Sequence, residues 1–393
     1  MIQLDIVHYH LNPGGVTKII ESQIKSLRKQ NIAYDITVFT SYCPNITFYK
    51  ELNVKVIQDK IFAYADFYEK DSNIINSNFL KVKKAAEKYF SKNRIIHFHN
   101  INLAKNPYWT IELYKLINKG FNIINHAHDF AEDREENIAF MKRVVENHFK
   151  YNLLEVMYQN SQNYHHIVLT QKEANRLTDY GVNKKHIHLI PNPTDTEPIK
   201  LKKDKKTICD TLHLDKEKIL VTYPVRVIRR KNIGELILIS VLFSNKVNFV
   251  VSQPPANPIE KEFYNQWIIF CTDNNISITF EAGNRVDFET LICSSDFCIT
   301  TSKKEGFGMI FIEPWIMNTP VVGRNLKNVT DDFLNNGMTF PGLYEKIDIP
   351  IGKHLVDFAQ LEPEQQKSII KTTLTDFDFK DNILTLNPFL NTL

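Results

Sequence analysis

Short apolar runs alternate with longer segments of helical period over most of this chain. In the first half, Leu4 to His10, Tyr34 to Thr40, Ile95 to His99, Asn122 to His126, Ile167 to Thr170 and His186 to Ile190 read as strands. Val16 to Lys29, Phe79 to Phe90 and Gln171 to Tyr180 read as helices, with Gly181 as the cap of the last. The second half repeats the order. Strands are predicted at Ile219 to Pro224, Val247 to Ser252, Ser277 to Glu281, Phe297 to Thr301 and Pro320 to Val322. Helices are predicted at Ile233 to Phe243, Pro258 to Asn274 and Asp287 to Ser294. Repeated strand–helix–strand order predicts an α/β fold of two Rossmann-like, doubly wound domains facing each other across a cleft. The first is expected over residues 1–195 and the second over 196–345, joined near 192–215. Residues 346–393 read as a tail whose helix, Glu362 to Leu374, is expected to pack back on the first domain.

Composition narrows the classes. A chain of 393 residues is long enough for two domains with full cores. A net charge of +3 gives no global reason to bind nucleic acid. Lys200, Lys202, Lys203, Lys205 and Lys206 fall in the expected linker and read as solvated. Five scattered cysteines without Cys-x-x-Cys spacing argue for a reducing compartment and against a zinc–thiolate site. Met1 runs directly into a strand, so no signal peptide is expected. The most apolar stretch, Ile233 to Phe243, is too short to span a bilayer and contains Glu235. The expected location is cytoplasmic, with at most a peripheral contact on the inner face of the membrane.

The chemistry concentrates in Thr300 to Arg324, TTSKKEGFGMIFIEPWIMNTPVVGR. A loop with Glu305, Gly306, Phe307 and Gly308 joins a strand to a helix of about ten residues. Glycines there let a ligand approach the backbone, and a helix N-terminus offers unpaired N–H groups to a phosphate. Glu305 and Glu313 bracket the turn, and carboxylates accept hydrogen bonds from vicinal hydroxyls.

Glu-x7-Glu around Gly-Phe-Gly, followed by Thr-Pro-Val-Val, resembles the signature of retaining nucleotide-sugar glycosyltransferases of family 4, which have the GT-B fold. The resemblance implies that Glu305 contacts the donor sugar, Glu313 the ribose, and Gly306, Phe307 and Gly308 the sugar and phosphates. The sequence departs from the pattern at Pro314, where Ala is usual and a helical hydrogen bond is lost, and at Asn318, where Gly is usual. Gly14-Gly15, after the first strand, matches a loop that faces the donor phosphates. His126-Ala-His128 ends a strand where the family has a histidine near the donor sugar; His128 is the better match and His126 the alternative. Asp129 and Arg134 follow it and are candidates for the acceptor site, Arg134 for an anionic one. Ile190-Pro-Asn-Pro-Thr-Asp195 is similar to the family's hinge, with Pro193 in place of Gly. Arg226 and Lys231 keep the Arg-x4-Lys spacing that grips the diphosphate, although Val225 stands where the family has Gly. Fixed cations there stabilise the charge that grows on the leaving diphosphate. Arg229 and Arg230 add positive potential and are expected to face solvent. Gly283 and Arg285 lie where the family reads the base and diphosphate.

The resemblance implies transfer of a hexose from a UDP- or GDP-linked donor to a hydroxyl acceptor, such as a saccharide, a small hydroxy compound or a lipid-linked glycan, with retention. A nucleotide-sugar epimerase, a phosphorylase and a non-catalytic nucleotide-sugar binding protein are the alternatives. No metal or other cofactor is expected, because no Asp-x-Asp stands at a strand end of the donor domain. His8-x-His10, His97-x-His99, His126-x-His128 and His186-x-His188 place pairs on common strand faces, but a metal needs three or four converging ligands.

Overall fold

A computed structural model describes residues 1–30, 32–194, 204–255 and 257–392. The chain divides into two compact units, Met1–Asp195 and Thr196–Leu393. Lys200, Lys202 and Lys203 lie outside the described residues, and Lys205 opens the helix Lys205–Leu212.

The first unit holds strands β1 (Ile2–Val7), β2 (Tyr34–Thr40), β3 (Lys55–Gln58), β4 (Ile95–His99), β5 (Asn122–His126), β6 (Tyr164–Val168) and β7 (Ile187–Leu189). They form one sheet in the order β3-β2-β1-β4-β5-β6-β7, parallel throughout. The chain winds outward from β1 to β3, then returns to β4 on the other side. That reversal opens a crevice at the carboxyl ends of β1 and β4, where ligands bind in such sheets. Helices cover both faces. Ile20 and Ile24 from Gly15–Arg28 pack with Ile6 and Val38 on one face. On the other, Phe79 and Val82 from Ser72–Tyr89 and Trp109 from Pro107–Asn118 pack with Val7 and Phe98. The alternation of the strands sends successive side chains to these two cores.

The second unit has a five-stranded parallel sheet in the order β12-β11-β10-β8-β9. Its strands are β8 (Ile219–Arg226), β9 (Val247–Gln253), β10 (Phe297–Thr300), β11 (Val321–Arg324) and β12 (Gly342–Tyr344). Here the reversal falls between β8 and β10. The strand expected at Ser277 to Glu281 is a single bridge, Val250 to Thr279, beyond β9. Thr279 pairs with Phe249 and Val251, but Glu281 turns left-handed at φ 57 and ends the extension.

The tail belongs to the second unit. It contains two helices, Pro363–Thr375 and Phe377–Leu386, and closes the second unit's own core. Ile370, Ile383 and Leu390 are buried among Trp267, Phe270 and the residues of the helix Ile233–Phe243. Gln366 donates to Asn232 at 3.2 Å and to the Phe358 carbonyl at 3.1 Å. An apolar stripe on a helix docks on the nearest unfinished core, and Ile233–Phe243, apolar around most of its circumference, provides it.

Glu235, fully buried in that helix, accepts from Arg324 at 3.0 and 2.5 Å and from the Tyr344 hydroxyl at 2.8 Å. Arg324 also reaches Asp357 at 2.8 and 2.9 Å, at the end of the hairpin β13 (Asp348–Ile351) and β14 (His354–Asp357). Each charge is paired, as burial requires. All five cysteines are buried and unbridged. No helix among the described residues is long and apolar enough to cross a membrane.

Candidate functional site

In the second unit the loops after β8 and β10 meet at the reversal of the sheet. After β8 comes a short 3-10 turn, Arg229–Lys231. Its carbonyl end is latched from below. The Tyr223 hydroxyl donates to the Lys231 carbonyl at 2.8 Å and contacts the Ser302 hydroxyl at 2.9 Å. Thr301 Oγ1 donates to the carbonyls of Lys231 and Asn232 at 3.0 and 3.1 Å. The Lys303 N–H donates to the Arg230 carbonyl at 2.8 Å. These bonds sew the two loops together and aim Lys231 at the Gly-Phe-Gly turn.

Lys231 Nζ donates to Glu305 Oε1, and Arg230 Nη1 reaches Glu305 Oε2 at 2.8 Å. The Glu305 side chain is 7% exposed. Burial by itself would raise the Glu305 carboxyl, but Lys231 and Arg230 outweigh it and hold the group below the usual carboxylate range. Burial lowers the Lys231 ammonium from its usual value, and Arg230 adds to that while Glu305 opposes it. The result is a buried carboxylate gripped by two cations. Arg230 is exposed, as expected, and is also a member of the cluster, held there by the loop-to-loop bond of its backbone.

Arg226 closes β8 but does not join this cluster; its Nε donates to Gln253 Oε1 at 3.0 Å on β9, and it is exposed. Gly283 lies in the turn Ala282–Asn284, where a Cβ would stand 2.8 Å from the Ser252 carbonyl oxygen. Only glycine allows the turn to lie flat on the end of β9. Arg285 follows it, exposed.

Gly306 is exposed and Phe307 is buried edge-on against Phe333, 5.4 Å between ring centres. Gly308 has φ 88, and a Cβ there would meet Val329 Cγ1 at 2.4 Å. It precedes the helix Met309–Ile316, which has no side-chain cap at its start. Glu313 is half-buried on that helix, just before Pro314. Asn318 adopts the left-handed conformation, φ 56, that its place after the helix calls for.

In the first unit, Gly14 and Gly15 lead into the helix Gly15–Arg28, which also lacks a side-chain cap. Gly14 is extended and a Cβ on Gly15 would meet nothing within 4 Å. His128 is buried; its Nε2 lies 3.0 Å from His99 Nδ1, and its backbone N–H donates to Asn100 Oδ1 at 3.2 Å. His126 is buried beside it, the rings stacked at 4.4 Å. Asp129 and Arg134 pair with each other at 2.8 Å and are both exposed by more than a third. The sequence did not single out Asn100. It is left-handed at φ 67 and holds the backbone of His128 and Asp129 and the Asp129 carboxylate.

Comparison with known proteins finds glycosyltransferases. The sequence model of the family described as Glycosyltransferase Family 4 matches residues 13–198. A mannosylglucosyl-3-phosphoglycerate synthase of Petrotoga mobilis is 28% identical over 371 residues, covering 85% of this chain and 67% of that protein. Among solved structures, HepE of Anabaena in complex with UDP-glucose superposes with a TM-score of 0.62 at 15% identity, over 100% of this chain and 99% of that one. Sucrose-phosphate synthase of Thermosynechococcus elongatus gives 0.59 at 15% identity, over 100% and 95%. WaaG, a glycosyltransferase of lipopolysaccharide biosynthesis, gives 0.58 at 13%, over 99% and 95%. The two parallel sheets with their helices are those of the GT-B fold.

Proposed function

We propose that this chain, a glycosyltransferase of the family-4 type on a GT-B fold, moves a hexose from a nucleoside-diphosphate donor to a hydroxyl acceptor and retains the anomeric configuration. The observation that carries the reading is the cluster of Glu305, Lys231 and Arg230 at the sheet reversal of the second unit, beside the Gly306–Gly308 turn. Lys231, and Arg226 once it leaves Gln253, take the diphosphate. Glu305 then exchanges part of its hold on the cations for sugar hydroxyls, and Glu313 takes the ribose. Positive charge fixed in advance of bond breaking favours the transition state over the ground state. No metal is required at the diphosphate in this reading, since cations of the chain supply the charge.

A UDP-linked sugar is the first donor to try, because a structural neighbour was solved with UDP-glucose. The Petrotoga relative is named for a product carrying 3-phosphoglycerate, which supports an anionic glycoside as acceptor. Arg134, now paired with Asp129, has the fork that such an anion fits. His128 is the residue of the first unit assigned to the donor sugar.

Thermal stabilisation by UDP, GDP and ADP and their sugar conjugates tests the donor assignment. Ligand at 100 times its Kd adds about 2.7 kcal/mol. One nucleotide is expected to stabilise the wild type and to fail with Lys231→Ala and Glu313→Ala. No shift with any nucleotide refutes the donor site.

A further inference from the structure

The carboxyl ends of β4 and β5 carry a group of histidines that the transferase chemistry above does not use. His97 and His99 are two apart on β4 and so share a face. His126, at the end of β5, pairs in register with His99. Register and alternation therefore put three imidazoles on one face of two neighbouring strands. Their ring nitrogens, one from each, lie within 4.8 Å of one another. His97 Nε2 is 3.2 Å from His126 Nδ1. His97, His99 and His126 are 8%, 0% and 1% exposed.

Burial disfavours the charged form of each ring and holds it below the usual histidine range. A neutral imidazole has one lone pair to direct at an ion. His99 Nε2 is buried and meets no hydrogen-bond partner. An orphaned, fully buried polar atom of this kind needs an explanation.

We propose that His97, His99 and His126 form a binding site for a divalent transition-metal ion of the zinc class. Neutral imidazole is the ligand such ions prefer among uncharged side chains. Zn–N bonds of about 2.0–2.1 Å place tetrahedral ligand nitrogens about 3.3–3.4 Å apart. The His97–His126 separation already matches this, and the buried, unpartnered His99 Nε2 would supply the third nitrogen. His128 completes the arrangement from outside. Its Nε2, 3.0 Å from His99 Nδ1, accepts the N–H that His99 carries when it offers Nε2 to the ion. Such a bond fixes the tautomer and orientation of a ligating histidine. A bound ion would stiffen the end of β5 from which His128 projects. The site stands whether or not the transferase reading does, because it is argued from the first unit's histidines alone.

The test uses the full chain, purified without a histidine tag and stripped with a chelator. Zinc and cobalt are titrated in, with metal content and the visible spectrum of bound Co2+ as readouts. One equivalent of metal per chain is expected, together with the intense bands of a low-coordinate, nitrogen-ligated cobalt. His99→Gln and the double variant His97→Gln/His126→Gln should each weaken binding at least about 100-fold, since loss of even an outer partner costs 10–100-fold. His165 and His188 form an exposed pair, 2.9 Å apart, elsewhere in the same unit. His165→Gln should leave the titration unchanged. X-ray absorption of the zinc-loaded wild type reads the ligands without any variant, and should show several imidazoles. Absence of stoichiometric binding, binding that survives the double variant, loss in His165→Gln, or a shell with at most one imidazole would each overturn the site.

Discussion

At the residue scale, Lys231 and Arg226 separate two roles that the sequence presents as one. Both were expected to grip the diphosphate, yet only Lys231 is held in the buried cluster. Lys231→Ala leaves Glu305 its bonds to Arg230 and Ser302. The stability lost should fall short of the about 3–5 kcal/mol of a fully abandoned buried charge, and donor turnover should fall about 10²–10³-fold. Arg226→Ala should cost comparable turnover but change stability by less than about 0.5 kcal/mol. Steady-state kinetics and urea denaturation of the pair check this; unchanged turnover in both would detach the cations from the chemistry. The motif residues were legible because their spacing survives in sequence. Arg230, Tyr223, Thr301 and Ser302 were not, since their value lies in a loop-to-loop stitch that only the meeting of β8 and β10 creates.

His166 gives a residue-scale prediction of a different kind. It lies on β6, with Nδ1 3.2 Å from Asn125 Nδ2 and the Tyr164 ring at 4.3 Å. Burial, with His165, His186 and His188 in support, lowers it to about 3. The unfolded chain binds this proton near pH 6.5 and the folded one only near pH 3, so between those values the unfolded state holds more protons. Stability contributed by the neutral ring is present above pH 6.5 and is lost as pH falls through the window, by up to about 1.4 kcal/mol per pH unit. Denaturation midpoints measured against pH should show a shallower acid limb in His166→Asn. An identical limb would mean that the folded chain takes up this proton as readily as the unfolded one.

At the scale of elements, the alternation of apolar runs placed most strands within a few residues, because buried parallel strands are the chain's most apolar segments. β3 and β12 escaped, being short, and Ser277 to Glu281 was over-read because β-forming residues do not reveal that a left-handed Glu281 cuts the ladder. The Gly308 turn shows how local geometry serves the site. Ala at 308 must hold φ 88 and push its methyl group into Val329. The conformation costs about 1–2 kcal/mol and the crowding about 1–3 more. Gly15→Ala is the contrasting change: the position is open and helical, so stability should hold or rise by up to about 1 kcal/mol. Thermal unfolding of the two variants distinguishes a glycine kept for its backbone from one kept for the space beside it. Equal losses in both would remove that distinction.

At the scale of the molecule, the second unit is completed by the last residues of the chain. The sequence pattern fades after Pro341, so the alternation of strands and helices does not reveal which core the tail joins. The structure makes it part of a core: Ile370 and Ile383 are fully buried, and Lys380 and Asn387 tie backbone carbonyls at Val241 and Asp348. Gln366 connects this packing to the site, since it holds Asn232, the left-handed residue that follows Lys231. The fit is close, for a Cβ on Gly234 would stand 2.2 Å from Gln366 Oε1 and 2.8 Å from Trp267. Ile383→Ala should therefore cost about 2–5 kcal/mol, as for other fully buried isoleucines. Gln366→Ala should cost about 1–3 kcal/mol by orphaning buried polar atoms, and should also weaken donor binding by loosening the Lys231 turn. Removal of residues 362–393 should abolish the second unit's cooperative unfolding altogether. Calorimetry with and without the donor nucleotide reads all three. If the truncated chain kept the second unit's transition and its response to nucleotide, the tail would be an accessory to this unit. If Gln366→Ala lost stability but bound the donor as the wild type does, the tail would support the core without reaching the site.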